Sequence, residues 1–403
     1  MTSPATHVRD LHTGHPLWRG VSVPGKSLKQ SIRLDILIVG GGVSGAFMAD
    51  ALAGRYPRVA LVDRRIPAHG STMASTALLQ FEIDTPLIKL ADQIGRKKAA
   101  RAWRRSWQAT QNLAALVRAE RLQCGFERRD SLYLAGDETG GRALTEECRQ
   151  RNRAGLPGEF LDAARLREIF GIERTGAIFS PGAAIANPVA LAAGLLKRAA
   201  KRGLEIYTPV EITDVLATAH GVLLDTGAHF IEARHCIFCT GYERLKGMPK
   251  SGTKITSSWA LASKPRARYP SWLDSTVVWE ASKPYLYMRT TPDRRLVVGG
   301  EDEDVDAPSR RTSALPAKRT RLLKKMRKLL PDARIEVART WAGAFGESTD
   351  GLPIIDVVPG MPGCIAVMGF GGNGTIYSKL AAEIVPNFLR GRRDKDTDLF
   401  AFR

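Results

Sequence analysis

The run Leu34-Asp35-Ile36-Leu37-Ile38-Val39 is apolar and rich in β-branched residues, which predicts a buried strand. Gly40-Gly41-Gly42-Val43-Ser44-Gly45 follows at once. Ala46 to Ala53 then predicts a helix, with Gly54 and Pro57 as its end, and Arg58-Val59-Ala60-Leu61-Val62-Asp63 a second strand. Strand, glycine turn, helix and strand in that order make a βαβ unit.

Upstream, residues 1–30 are polar and aperiodic, with Pro4, Pro16 and Pro24, and predict an extended arm pinned by Trp18. Downstream, Gly70 to Gln80 reads as a loop of small hydroxylated residues. Residues 87–122 predict one or two basic helices, with Trp103 and Trp107 in the core. Phe126 to Ala135 alternates like a strand, Arg142 to Arg153 and Leu161 to Phe170 read as helices, and Gly176 to Ile185 as strand and turn. Asn187-Pro188 starts a helix through Arg202, with proline in the first turn. Glu205 to Ile212 and His235 to Thr240 read as strands, with a hairpin-like pair over 221–231. Alternating runs at 257–263, 276–281, 285–290 and 295–299 predict an antiparallel sheet. The basic helix Pro316 to Leu330 carries one apolar stripe, which predicts packing on that sheet. Strands at 335–341 and 364–368, the turn Gly369 to Gly374 and a helix from Thr375 to about Leu389 complete the chain.

Composition narrows the classes. The 403 residues suffice for two domains, and 44% hydrophobic with 25% charged residues is the balance of a soluble globular protein. Five scattered cysteines predict no disulfide framework and fit a reducing cytosol, so a cytoplasmic location is expected. Cys236-Ile-Phe-Cys239 lies in a predicted buried strand, where cysteine is a small core residue rather than a redox pair. The net charge of +19 is spread along the chain and interleaved with acids, so neither nucleic-acid binding nor membrane insertion is expected. No basic, then apolar, leader opens the chain, so no secretory signal is expected.

The first βαβ unit carries the chemistry. Gly40-x-Gly42-x-x-Gly45 fits G-x-G-x-x-G. Its glycines allow a tight turn, close approach of a pyrophosphate, and close helix–strand packing. Phosphates would rest on the N–H groups at the helix start, Val43 and Ser44 among them. Asp63 ends the second strand, where a carboxylate can accept from a ribose hydroxyl. The motif alone does not choose between NAD and FAD.

Taken in order, several stretches resemble the flavoprotein family of D-amino acid oxidase, glycine oxidase and sarcosine oxidase. They are Gly40–Gly45 with Asp63-Arg64-Arg65, the loop Gly70–Leu79, Asn187-Pro188, Thr208-Pro209-Val210, Cys239-Thr-Gly241, Trp341-Ala-Gly, Asp350-Gly-Leu-Pro-Ile-Ile355 and Gly369–Thr375. Pro284-Tyr-Leu-Tyr-Met-Arg-Thr290 and Gly299-Gly-Glu-Asp302 look most like the bacterial branch containing γ-glutamylputrescine oxidoreductase. The resemblance implies FAD. Asp63 would take the ribose, Arg64 and Arg65 would lie near adenine, and Val210 would meet adenine through its backbone. Ser71, Thr72, Ser75 and Thr76 would run past pyrophosphate and flavin, with Gly241 beside them. Gly371, Gly372, Asn373, Gly374 and Thr375 would bring a helix start to the flavin pyrimidine edge. Such an end favours negative charge developing there.

Departures shape the substrate expectation. Glycine oxidase-like members hold a carboxylate with an arginine after Trp-Ala-Gly, where this chain has Ala344-Phe345, and a second arginine position is Gly372. An amine without a simple α-carboxylate is therefore expected, lined by Tyr285, Tyr287, Trp341 and Phe345, with Arg289 on a remote acidic group. No lysine stands at Leu296-Val-Val298, where sarcosine oxidases activate oxygen, so O2 and another electron acceptor both stay open. Ala74 and Gly343 replace the histidine and cysteine that attach flavin covalently in relatives, so FAD is expected to be noncovalent. No metal is expected, and the oligomeric state is not legible.

The expected fold is a Rossmann-type α/β FAD-binding domain interleaved with an α+β, antiparallel-sheet substrate domain. The boundaries are an arm at 1–31, FAD-binding parts at 32–90, 185–250 and 340–403, and substrate parts at 91–184 and 251–339. The expected reaction is oxidation of a C–N bond of an amine or amino-acid-like substrate by hydride transfer to flavin N5. An NAD-dependent dehydrogenase and a non-enzymatic nucleic-acid- or partner-binding protein are the alternatives. A yellow protein would exclude the first, and salt-sensitive DNA binding would favour the second.

Overall fold

The computed structural model describes residues 10–244, 246 and 253–403. Pro4 and the expected boundary at 250 lie outside them. Among the described residues the strands form one sheet of eight and one of ten.

The eight-stranded sheet is built on Ile32–Val39. That strand pairs in parallel with Val59–Val62 on one side and Phe230–Gly241 on the other. Both its faces are covered, which explains its continuous apolar run. Ile36 and Ile38 enter one core with helices Val43–Leu52, Pro188–Lys201 and Gly374–Phe388. Leu34, Leu37 and Val39 enter a second core under the meander Asp214–Thr218 and Gly221–Asp225. Asn187 caps its helix as the sequence implies, its side chain accepting from the N–H groups of Val189 and Ala190 at 3.1 Å. The strand expected over 205–212 stops at Tyr207, before Pro209, which has no N–H to offer a ladder.

In the ten-stranded sheet, Lys254–Ser263, Leu296–Glu303 and Leu286–Thr290 run antiparallel. Thr276–Glu280 pairs antiparallel with Leu286–Thr290 but parallel with Glu127–Leu134. Gly176–Ile185 is one continuous strand rather than strand and turn. One face, with Trp259, Leu261, Leu286, Met288 and Val298, packs on helix Leu315–Leu329 through Leu322, Met326 and Leu329. The basic residues of that helix answer a buried carboxylate: Lys325 and Arg321 pair with Glu301 at 2.8 and 3.2 Å, and Lys318 with Glu303 at 2.6 Å. No helix among the described residues is long and apolar enough to cross a membrane.

The basic stretch 87–122 is two helices, Leu87–Ile94 and Arg96–Ala119, separated by Gly95 at φ 86°. Trp103 is fully buried, and Phe81 meets it and Trp107 edge-on, a core arrangement. The arm is not merely extended: His12–Gly14 adds an edge strand against Trp341–Gly343. All five cysteines are buried thiols.

Candidate active site

A cavity of about 310 Å³ runs between the two sheets, lined by residues from both. At one end lies the glycine turn. Gly40 sits at φ 105°, and a Cβ there would stand 2.4 Å from the Cys239 carbonyl. A Cβ on Gly45 would stand 1.8 Å from the Gly40 carbonyl. These two glycines are demanded by the packing itself. Gly42 is different: its backbone is extended, and its Cβ would meet only Thr72 Oγ1, at 3.2 Å. Protein leaves room there, and Gly42 lines the cavity. Helix Val43–Leu52 has no side-chain cap from Gly42; the Val43 N–H donates to Thr72 Oγ1 at 2.9 Å. An uncapped helix start aimed at a cavity suits an anion. Ser44 lines the same cavity, its hydroxyl 2.8 Å from that of Ser378.

Asp63 stands beside this turn. Its carboxylate accepts from the Gly41 N–H at 2.6 Å and the Arg65 N–H at 2.7 Å. Burial pushes its pKa up, and those two N–H groups oppose the shift. Arg65 pairs with the buried Glu243 at 2.7 Å, and Arg64 pairs with Glu243 and, at 3.1 Å, with Glu211. The Val210 N–H is used by the Asp63 carbonyl at 2.9 Å, which leaves its own carbonyl for a ligand. Gly241, at φ 63°, lines the cavity with nothing near its Cβ position. Asp63→Ala should weaken nucleotide retention by roughly 1.5–3 kcal/mol, the worth of a hydrogen bond to a charged group. Flavin content after dialysis measures it, and unchanged retention would remove Asp63 from the site.

The loop from Ser71 to Ala77 opens with a helical turn over Ser71–Ala74, where the sequence suggested no helix, and forms the middle of the cavity wall. Three successive carbonyls of it are held by large side chains. Trp341 Nε1 donates to Ala74 O at 2.8 Å, Trp18 Nε1 to Ser75 O at 2.6 Å, and Arg289 Nε to Thr76 O at 2.6 Å. The Ser75 N–H is met by Ser71 O and the Ala77 N–H by Ser75 Oγ. Facing the loop, Gly371–Asn373 and the start of helix Gly374–Phe388 also line the cavity, Thr375 included, again without a side-chain cap. The Gly372 N–H donates to Asp84 Oδ2 at 2.8 Å, and Asn373 Nδ2 to Glu82 O at 2.6 Å.

The far end is aromatic. Tyr285, Tyr287, Trp341 and Phe345 line it, joined by Trp279, which sits opposite Tyr287 across the sheet. Gly299 and Gly300 make the Tyr pair possible. A Cβ on Gly299 would stand 2.2 Å from the Tyr287 hydroxyl, and one on Gly300 2.2 Å from the Tyr285 carbonyl. Arg289 is not among the lining residues, which corrects the sequence expectation. Its guanidinium lies behind the loop, where Nη2 donates to Ala186 O at 2.9 Å and Nη1 to Thr290 O at 3.2 Å, and Trp18 covers it at 5.1 Å. Nor does it pair with Glu301, whose carboxylate is taken by Lys325 and Arg321 of the basic helix. Sequence reasoning missed Gln80, Asp84, Ser258 and Trp279, all of which line the cavity. Asp84 directly follows the hydroxylated loop and was the one chemical signal available.

Residues 35–386 match the family of FAD dependent oxidoreductases designated DAO. The chain belongs to that family. Over 379 residues it is 25% identical to glycine oxidase of Geobacillus kaustophilus (strain HTA426), covering 92% of this chain and 96% of the relative. It is 21% identical to γ-glutamylputrescine oxidoreductase of Escherichia coli (strain K12), covering 94% and 88%. Among solved structures, the crystal structure of Geobacillus kaustophilus glycine oxidase superposes with a TM-score of 0.75 at 23% identity, covering 92% and 98%. These likenesses do not single out the γ-glutamylputrescine branch.

The residues present fit FAD, and this member of the DAO family is an FAD-dependent oxidoreductase. Gly42 leaves a cradle that a side chain would fill, and two uncapped helix starts face one cavity. The Gly40–Gly45 turn with Ser71 and Thr72 would hold the pyrophosphate, Asp63 the ribose, and the loop with Gly371–Thr375 the flavin.

Proposed function

We propose that this flavoprotein oxidises a carbon–nitrogen bond of an amine that lacks an α-carboxylate. The observation that carries the reading is the make-up of the cavity. Among the described residues, its lining cations are Arg64 and Arg65, both at the Asp63 end and engaged with glutamates. The aromatic end offers rings and the Asp84 carboxylate, with no guanidinium for a substrate carboxylate. FAD, when bound, supplies the hydride acceptor for the carbon beside the amine nitrogen, and the imine product then hydrolyses. The protein's part is binding and orientation. Tyr285 and Tyr287, with ring centroids 5.7 Å apart, and Trp279 pack an apolar stem and exclude water. Trp279 is itself held, stacked on Tyr133 at 3.7 Å with Nε1 on Ser131 Oγ at 3.0 Å. Burial pushes the Tyr287 hydroxyl up to about 12 and raises that of Tyr285 as well, so both stay neutral.

Anaerobic bleaching of the flavin across a panel of amines tests this reading. The best amine should reduce the flavin far faster than glycine, sarcosine or D-alanine; comparable rates with those amino acids would refute it. The flavin should also be noncovalent, because Ala74 and Gly343 pack together where attachment residues would stand. Acid precipitation should leave it in the supernatant, and yellow pellets would show a covalent link.

A further inference from the structure

Resting on that amine-oxidation reading, we infer that the substrate carries a second cationic group, as in an alkyl diammonium, anchored by Asp84 with Gln80 as a further acceptor. Asp84 lines the cavity; one carboxylate oxygen takes the Gly372 N–H at 2.8 Å, and among the described residues no lysine or arginine pairs with it. Gln80 also lines the cavity. It is 6% exposed, its Nε2 reaches Glu82 O at 3.5 Å, and its buried Oε1 has no partner. Ser258, on the opposite wall, turns its buried hydroxyl toward Asp302 and Tyr287. Behind Ser258 and Tyr285 lies the buried Asp302, whose carboxylate both hydroxyls face.

The buried Gln80 acceptor is costly to leave unpaired, and a cation lying between it and Asp84 relieves that cost. The field has one sign. Burial raises Asp84 to about 6 and Asp302 to about 7, with Glu347 pushing both upward and Asp84 adding to Asp302. Asp84 is therefore largely ionised at neutral pH and repels a substrate carboxylate. The nitrogen that is oxidised must give up its positive charge before the adjacent carbon releases a hydride. A carboxylate holding that nitrogen would keep it charged and oppose the reaction, so the charge that matches Asp84 is assigned to a second group.

The test uses the flavin-loaded protein and three ligands of one chain length: putrescine, butylamine and γ-aminobutyrate. Flavin reduction under anaerobic conditions should favour putrescine over butylamine by about tenfold or more in the second-order rate constant, with γ-aminobutyrate slowest. A binding readout independent of turnover comes from calorimetry with the bis-trimethylammonium derivative of butane against butyltrimethylammonium, neither of which can form an imine. The dication should bind about tenfold more tightly. Asp84→Asn keeps an acceptor for Gly372 and should bring that ratio close to one. Gln80→Met should lower it from the other side of the pocket. Dication and monocation binding within about twofold of each other, or γ-aminobutyrate as the fastest reductant, would overturn the inference. So would an Asp84→Asn protein that keeps the preference, or one that loses flavin with the preference intact on reloading. If no amine reduces the flavin while the dication preference holds and depends on Asp84, the amine-oxidation reading fails and the cation site stands.

Discussion

Replacing Gly42 by valine should give a folded but colourless protein. The two glycines around it show why. A methyl on Gly45 would collide with the Gly40 carbonyl at 1.8 Å, and one on Gly40 would both strain a φ of 105° and meet the Cys239 carbonyl at 2.4 Å. Substitution at either should unfold the βαβ unit or displace its helix. At Gly42 the chain is extended at φ −70°, and the single near contact is Thr72 Oγ1 at 3.2 Å. A Cβ there asks only that the Thr72 side chain give by a few tenths of an ångström, and a branched side chain occupies the space where a pyrophosphate would approach the helix start. Losing that approach should lower FAD affinity by at least about 100-fold, or roughly 2.8 kcal/mol. Absorbance after gel filtration reads the flavin, and circular dichroism with a thermal melt of the apoprotein reads the fold. A Gly42→Val protein that keeps its flavin would place the pyrophosphate elsewhere. A Gly45→Ala protein that is stable and yellow would contradict the packing argument.

The contrast explains which parts of this molecule could be read from sequence. The βαβ unit was legible because its requirements are local: six consecutive residues carry the turn, and both cores take alternate residues of one apolar run. The Asn187 cap and the stripe of helix Leu315–Leu329 were legible for the same reason. The aromatic end of the cavity was only half legible. Alternation along Tyr285, Tyr287 and Arg289 puts all three on one face of a strand. It does not say that Arg289 is taken by the Thr76 carbonyl while Tyr287 lines the cavity. Trp279 enters the cavity because it pairs with Tyr287, and strand register is a long-range property that composition and period do not carry. Asp84 was missed because its role depends on Gly372, 288 residues away.

Arg289→Met should destabilise the protein strongly and leave recognition of acidic amines untouched. The guanidinium is 1% exposed and donates to three carbonyls, Thr76 at 2.6 Å, Ala186 at 2.9 Å and Thr290 at 3.2 Å. Burial, with Arg129 nearby, pulls its pKa down to about 9, which still leaves it charged at neutral pH. Methionine fills the volume but donates to none of the carbonyls, and each buried acceptor left alone costs about 1–3 kcal/mol. With partial relaxation, a loss of roughly 3–5 kcal/mol is expected. The effect should concentrate in the loop, because Trp18 and Trp341 would then hold Ser75 and Ala74 without the third anchor. Flavin should be released at a lower temperature than in the parent protein, and Arg289→Lys, which returns one donor group, should recover part of the difference. The sequence alone suggested another outcome, a rise in KM confined to acidic substrates. That pattern, with the melting temperature of the holoprotein unchanged, would mean that the guanidinium reaches the substrate. A lower melting temperature with KM values shifted alike for acidic and neutral amines would identify Arg289 as the residue that sets the loop carbonyls against the protein and leaves the other side of the loop to the cofactor.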